Sequence, residues 1–302
     1  MFNEALKQLL KEEFSDIKFD EPLKKHTTMA VGGPCDGFLS VQAEDIPKAV
    51  ELCNANNIPM FVLGNGSNTI GTDKGYRGLV ICIGRKMNEI NISDEVTLQA
   101  GAGAKLSKVS EMAAVSGIGG FEFLAGIPGN LGGAIVMNAG AYGGEIKNLI
   151  KTVTFLENGQ VRTEMGDNLG FGYRKSYFTS HPDAIIISAK LSGAKKEEKL
   201  IREEMVDYAC RRSDKQPLEY PSSGSFFKRP QGYFAGKLIE DSGLKGYTIG
   251  GAAISEKHAG FVINKGGATY EDIKALSDHV KKTVMDKFGV PMEHEVRFLG
   301  EE

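Results

Sequence analysis

Residues 125–145 read AGIPGNLGGAIVMNAGAYGGE. From Phe123 to Gly144 the chain carries no charged side chain, and seven glycines, one proline and two asparagines interrupt its apolar residues. The run is long enough to cross a bilayer. A span, however, is dominated by Leu, Ile, Val and Phe, and this composition leaves backbone groups poorly covered in lipid, so no membrane insertion is expected. Glycine lets the backbone approach a ligand closely and turn its N–H groups outward. A nest of that kind holds phosphate oxygens without lysine or arginine.

A second cluster, LGNGSN, lies upstream at 63–68 after the apolar run IPMFVLG. Two such loops in one half of the chain point to a bound dinucleotide. The blander alternative is a set of tight turns and close strand contacts. Neither cluster is a standard nucleotide fingerprint. No G-x-x-x-x-G-K-[ST] occurs, and GAGAKL (101–106) begins like G-x-G-x-x-G but places Leu106 at the last position, so a Rossmann fold is not supported.

The rest of the chain sets the frame. Its 302 residues suffice for two domains. Hydrophobic residues make up 41% and charged residues 25%, a globular profile. A net charge of −3 offers no basic field for a nucleic acid. The four cysteines, Cys35, Cys53, Cys82 and Cys210, form no C-x-x-C pair, and the five histidines form no H-x-x-x-H or H-E-x-x-H, so no metal site is expected. Reduced cysteines and a charged start, MFNEALKQLLKEEF, suit a cytoplasmic protein.

Periodicity predicts helices over 44–57, 104–116, 195–217 and 269–288. Strands are expected at 58–64, the first of them buried, and at 77–84, 95–100, 184–191 and 294–299. ENGQ (157–160) between VTFL and VRTE signals a hairpin. The mixture is α+β. We place a domain boundary at the start of the charged 195–217 helix, giving domains 1–194 and 195–302, with a subdomain boundary near 85–95.

Three polar groupings stand out. GYRKSYF (172–178) sets Arg174 among aromatics, either a surface stacking residue or a fixed cation for a carboxylate. RRSDKQP (211–217) ends a helix, where cations suit the dipole; a phosphate site on Lys215 is the alternative. In HEVRFLG (294–300), Glu295 and Arg297 share one face of a strand, as a solvated ion pair or as a carboxyl group placed in a cleft. SSGSFFKRP (222–230) spaces Ser225 and Lys228 as S-x-x-K, the pattern of serine acyl-transfer enzymes. Those enzymes also need S-D-N and K-T-G elements, and only SDK (213–215) and SDH (277–279) come near the first, so acyl transfer is disfavoured.

In order along the chain, HTTMAVGG (26–33), LGNGSN, GIPGNLGGAIVMNAGAYGGE, GYRKS, KQP, GSFFKRP, AGKLIEDSGLKGYTIGGA (235–252) and EVRFLG resemble the UDP-N-acetylenolpyruvoylglucosamine reductases of peptidoglycan precursor synthesis. The resemblance implies a vanillyl-alcohol-oxidase-type (PCMH-type) FAD-binding fold of two subdomains and a C-terminal α+β domain over the sugar nucleotide. It implies FAD as cofactor, NADPH as hydride donor and UDP-N-acetylglucosamine enolpyruvate as substrate. FAD would be wrapped by Gly64, Asn65, Gly66, Ser67 and Asn68 and by Pro128, Gly129, Gly132 and Gly133. The family's catalytic arginine, serine acid and glutamate fall on Arg174, Ser225 and Glu295, and its substrate-binding positions on Tyr173 and Lys215. Two departures follow. Arg229 stands where many members have asparagine, and the interval from Arg174 to Lys215 is of the short form, without the inserted tyrosine loop. Rival readings are an FAD oxidase or dehydrogenase of the same fold acting on another small molecule, and a non-enzymatic nucleotide-binding protein. The sequence gives no oligomeric state.

Overall fold

A computed structural model describes residues 2–301. The first structural body is a four-stranded sheet in the order Ile17–Pro22, Pro34–Val41, Tyr76–Ile83, Met60–Leu63. Its first pairing is antiparallel and the other two are parallel. The parallel arrangement follows from the helix Asp45–Ala55, which connects Pro34–Val41 to Met60–Leu63 and buries Ile46, Ala49 and Cys53. The strand expected to be buried at 58–64 is instead an edge strand, and Met60, Phe61 and Val62 are only half-buried. Periodicity cannot tell an apolar run that faces a core from one that faces a ligand groove.

The second body is an antiparallel five-stranded sheet, ordered Gln160–Met165, Ile150–Glu157, Ile185–Ser192, Thr97–Gly101, Ile90–Ile92. The expected hairpin joins its first two strands. Asn158 and Gly159 both take positive φ (51° and 75°), as a two-residue turn between right-twisted strands requires. One core runs through both bodies, with Ile46 and Ile81 from the first and Leu98, Leu106, Leu131 and Phe155 from the second.

Helix Glu198–Lys215 packs on the helix Leu106–Val115 and the turn Glu122–Leu124. It buries only Ile201. What fastens it is charge: Lys196 Nζ donates to buried Glu122 (2.9 Å) and to Glu204 (2.5 Å). Beyond Pro217 the chain builds a third body with its own core. Its sheet is ordered Ser222–Ser225, Phe261–Asn264, Ala252–Ile254, Thr248–Ile249. Behind it lies the helix Tyr270–Phe288, opened by a Thr269/Asp272 capping box and closed by Gly289 at φ 67°.

The strand expected over 294–299 is confined to Arg297–Leu299, which pairs in parallel with Thr69–Gly71 beside the LGNGSN loop. Among the described residues, no helix is long and apolar enough to cross a membrane, and no group of three or more His, Cys, Asp or Glu side chains is placed to hold a metal.

Candidate active site

A groove runs between the two glycine clusters. Gly64, Asn65, Gly66, Ser67 and Asn68 line one wall, and Pro128, Gly129 and Gly133 the other. The LGNGSN loop turns at Gly66, φ 63°, where a Cβ atom would lie 2.0 Å from the His26 carbonyl oxygen, so only glycine fits. Asn65 Nδ2 reaches across to the Pro128 carbonyl (3.0 Å) and ties the walls together. Gly133 faces open space. Among the described residues, four buried side-chain polar atoms lack a hydrogen-bond partner, and three of them, Asn130 Oδ1, Gln216 Oε1 and Ser223 Oγ, belong to residues of this groove. Buried polar atoms left unpaired are rare, and these three fit a ligand that supplies their partners.

A second cavity of about 630 Å³ adjoins the groove. That volume is within the range of small-molecule sites (roughly 300–1,000 Å³). Charge dominates its lining: five cations, Arg174, Arg229, Lys237, Lys245 and Lys257, against Glu145, Glu240 and Glu295. Five residues border both cavities: Gly140, Ala141, Arg174, Ser225 and Glu295.

These shared residues come together by three local devices. Arg174 sits in a two-residue turn closed by Gly172 N–H to Lys175 O (2.9 Å) and Lys175 N–H to Gly172 O (3.2 Å). Its φ of 53° is left-handed, which a non-glycine residue adopts at a cost of about 1 kcal/mol. Strain of this kind collects at functional sites. Ser225 follows a bulge: Ser222 pairs with Ile263 and Ser225 with Phe261, and the extra residue is accommodated by Gly224 at φ 74°. The bulge turns Ser225 out to an exposed position. Glu295 hangs beside it, with its N–H on Phe226 O (2.9 Å) and its carbonyl accepting from Asn68 Nδ2 (3.1 Å).

Arg174 Nε donates to Glu295 Oε1 at 2.6 Å, and both side chains are largely covered. Burial raises the Glu295 carboxyl pKa above the usual range, against the opposing pull of Arg174. The site thus holds a carboxyl group that protonates more readily than in water, a fixed guanidinium and an exposed hydroxyl at the junction of two cavities. Lys228, the fourth member of the S-x-x-K spacing, donates instead to Glu293 (3.1 Å), so its ammonium is engaged away from the pattern's base role.

Residues 39–163 match the model of an FAD binding domain, and 216–299 match that of the UDP-N-acetylenolpyruvoylglucosamine reductase C-terminal domain. The chain is 46% identical to the UDP-N-acetylenolpyruvoylglucosamine reductase of Agathobacter rectalis, over 93% of both chains. It is 46% identical to that of Clostridium perfringens strain 13, over 99% of this chain and 97% of the other. This chain belongs to the UDP-N-acetylenolpyruvoylglucosamine reductase family. The solved structure of the Thermus caldophilus reductase superposes with a TM-score of 0.81 at 32% identity, covering 94% of this chain and 98% of that one. The α+β flavoprotein fold expected from the sequence is therefore the fold found, and the chain is an FAD-dependent oxidoreductase.

As a reductase of this family, the chain would carry FAD, and the groove fits it. Glycine-rich main chain, three unpaired polar atoms and the two guanidinium groups of Arg212 and Arg297 suit a pyrophosphate and a hydrogen-bonding ring system. Burial lowers the pKa of half-buried Arg212 from the ordinary value, so an anion there would stabilise its charge. Of the expected FAD-wrapping residues, Gly132 alone is not at the groove. Its N–H bonds Ala102 O (2.8 Å), and a Cβ there would press on Ala102, so this glycine serves close packing.

Of the expected substrate residues, Tyr173 lines the larger cavity and its hydroxyl accepts from Arg229 N–H (3.1 Å). Lys215 lines neither cavity. Its charge helps lower the pKa of cavity-lining His258, behind the larger effects of burial and of Lys245. Sequence reading singled out neither Lys257 nor Asn138, and it met Arg212 only as a helix-end cation and Arg297 only as a strand neighbour of Glu295. Arg212 lies three residues before Lys215 on nearly the same helix face, and only the folded chain shows which of the two lines the groove.

Proposed function

We propose that this chain reduces UDP-N-acetylglucosamine enolpyruvate to UDP-N-acetylmuramate with NADPH as hydride donor, a cytoplasmic step of peptidoglycan precursor synthesis. The observation that carries the reading is the wall common to both cavities: of its five residues, three are Arg174, Ser225 and Glu295. A flavin in the groove and an enol ether in the cationic cavity would meet there. The cation-rich lining suits a diphosphate-bearing sugar nucleotide. Arg229 holds its guanidinium 4.6 Å over the Phe234 ring at the mouth of this cavity.

FAD, when bound, supplies the hydride carrier between NADPH and the vinyl carbon of the substrate. The residues of this chain do the rest. Hydride addition at the terminal vinyl carbon builds negative charge on the α carbon, which spreads into the adjoining carboxylate as an enediolate. Arg174 neutralises that carboxylate, and protonated Glu295 donates a hydrogen bond to it, a role its raised pKa favours. Ser225 Oγ–H delivers the proton to the α carbon. A hydroxyl is a weak acid, but the carbanion is a strong base, so placement decides the rate.

The test is NADPH oxidation by flavin-loaded protein, with and without UDP-N-acetylglucosamine enolpyruvate. Oxidation that depends on the enol ether supports the reading. Its absence from folded, yellow protein overturns it and returns the chain to the alternative of an FAD oxidase or dehydrogenase acting on another small molecule.

A further inference from the structure

Asn138 ends the stretch GGAIVMN with a left-handed backbone (φ 42°) and is only 2% exposed. Every part of its amide is used. Nδ2 donates to Gly172 O and to Glu145 Oε2, both at 3.0 Å, and Oδ1 accepts from Lys147 N–H at 3.2 Å. An asparagine amide brings two donor hydrogens and an acceptor oxygen, which is the set these partners need. A flipped amide would face its oxygen to two acceptors, so the orientation is fixed by the partners.

Gly172 opens the turn that carries Tyr173 and Arg174. The far end of that turn is tied as well, through Ser176 Oγ–H to Val136 O (2.8 Å). Both ties land on residues 136–138, where the helix Leu131–Val136 ends beside the groove. Glu145, held by Asn138 and by Lys147 Nζ (2.7 Å), lines the larger cavity near Arg174. Its carboxyl pKa lies below the usual range, owing first to Lys147, then to Asn138, with a contribution from Arg174.

We propose that Asn138 is a positioning residue, which fastens the 172–175 turn to the groove wall and so holds Arg174 in the left-handed conformation that delivers its guanidinium to the wall between the two cavities. This rests on the reading that Arg174 receives the substrate carboxylate. Without the amide, the turn can relax toward a right-handed backbone and carry the guanidinium away. A displacement of about 1 Å at a reacting group costs about 10²-fold in rate.

Two variants separate this role from general support of the fold. Asn138→Asp keeps the size and the tolerance for positive φ but replaces both donor hydrogens with an acceptor. Asn138→Gly removes the side chain at a backbone angle glycine accepts freely. Both are expected to retain flavin and to be reduced by NADPH within about 3-fold of the parent. Reoxidation by UDP-N-acetylglucosamine enolpyruvate is expected to slow by about 10–100-fold. In an Arg174→Ala background, adding Asn138→Asp should cost less than about 2-fold, because the group it positions is gone. Hydrogen exchange of amides 172–176 should quicken by at least about 10-fold, with the five-stranded sheet unchanged.

Parent-like reoxidation in both variants, loss of flavin from both, or unchanged exchange at 172–176 would overturn the proposal. A parent enzyme that the enol ether fails to reoxidise would instead sink the substrate reading, and the exchange measurement would then decide on Asn138 alone.

Discussion

Around the groove the chain offers main chain: LGNGSN, Pro128–Gly129 and Gly133, with Arg212 and Arg297 set among them. Around the larger cavity it offers charged side chains, five cations and three carboxylates. The two sites meet along Gly140, Ala141, Arg174, Ser225 and Glu295, yet their walls are built on different physics. A wall of backbone amides has a fixed dipole and does not titrate, and at Gly66 it tolerates no added volume. A wall of lysines and arginines is screened by salt and adapts its rotamers, but depends on each charge. The difference suits a resident cofactor on one side and a substrate that comes and goes on the other.

The sharpest break in the comparison falls on the shared wall. Ser225→Ala should leave flavin binding and its reduction by NADPH intact while slowing reoxidation by the enol ether about 10²–10⁴-fold, the usual worth of a general acid. Stopped-flow measurement of the two half-reactions checks this, and a variant reoxidised at the parent rate would remove Ser225 from the mechanism. Next, Gly66→Ala should damage only the backbone-built side. A Cβ at φ 63° and 2.0 Å from a carbonyl oxygen forces the loop open, at about 3 kcal/mol of stability and with loss of bound flavin from the purified protein.

A smaller effect comes from behind the wall. His294 packs among Phe226, Phe227 and Phe298, and its Nε2 lies 2.6 Å from Ser277 Oγ. Burial, with help from Lys281 and against Asp278, lowers its pKa to about 4 from an ordinary 6.5. The neutral ring is the one the fold accepts. Its contribution is therefore fully present above pH 6.5 and is lost as the pH falls toward 4. Urea unfolding at pH 7 and pH 4.5 should show a drop attributable to this residue of about 2 kcal/mol, estimated at roughly 1.4 kcal/mol per pKa unit and discounted for partial exposure. A His294→Gln variant should show a correspondingly smaller pH dependence, and an unchanged drop would exclude the residue.

Salt gives the smallest and most diagnostic contrast. Between about 0.05 and 0.5 M ionic strength, KM for the sugar nucleotide should rise by about 2–5-fold, while flavin retention changes less. Equal sensitivity of both sites would erase the distinction drawn here.

Much of this arrangement was legible in the residues. Asn158–Gly159 announced its hairpin because few sequences allow two positive φ angles in a row. Periodicity marked the helix over 269–288, and the structure closes its ends with the Thr269/Asp272 capping box and Gly289. The glycine clusters pointed to a ligand because two uncharged, glycine-rich loops in one half of the chain can turn their backbone N–H groups outward. What escaped notice depends on contacts distant in sequence. Glu295 joins Arg174 across 121 residues, and no local pattern encodes that meeting. Gly132 reads like its neighbours in GNLGG, and only the approach of Ala102 shows that it packs rather than wraps. Lys215 and Arg212 share a helix whose single buried residue, Ile201, gives little phase information, so the cation facing the groove could not be chosen from the sequence.

The parallel pairing of Arg297–Leu299 with Thr69–Gly71 has a bearing on how the molecule is made. A ribosome delivers Asn68 long before its partner Glu295, which lies 227 residues further on. Until Arg297–Leu299 is made, the LGNGSN loop waits without the strand that completes its flank. Closing so long an interval adds little entropy cost beyond that of a moderate loop, but it fixes an order of events. The nascent chain can assemble its first sheets early, whereas the shared wall is finished only once Glu295 has emerged. The chemistry proposed for that wall therefore waits until the chain is extended through Glu295.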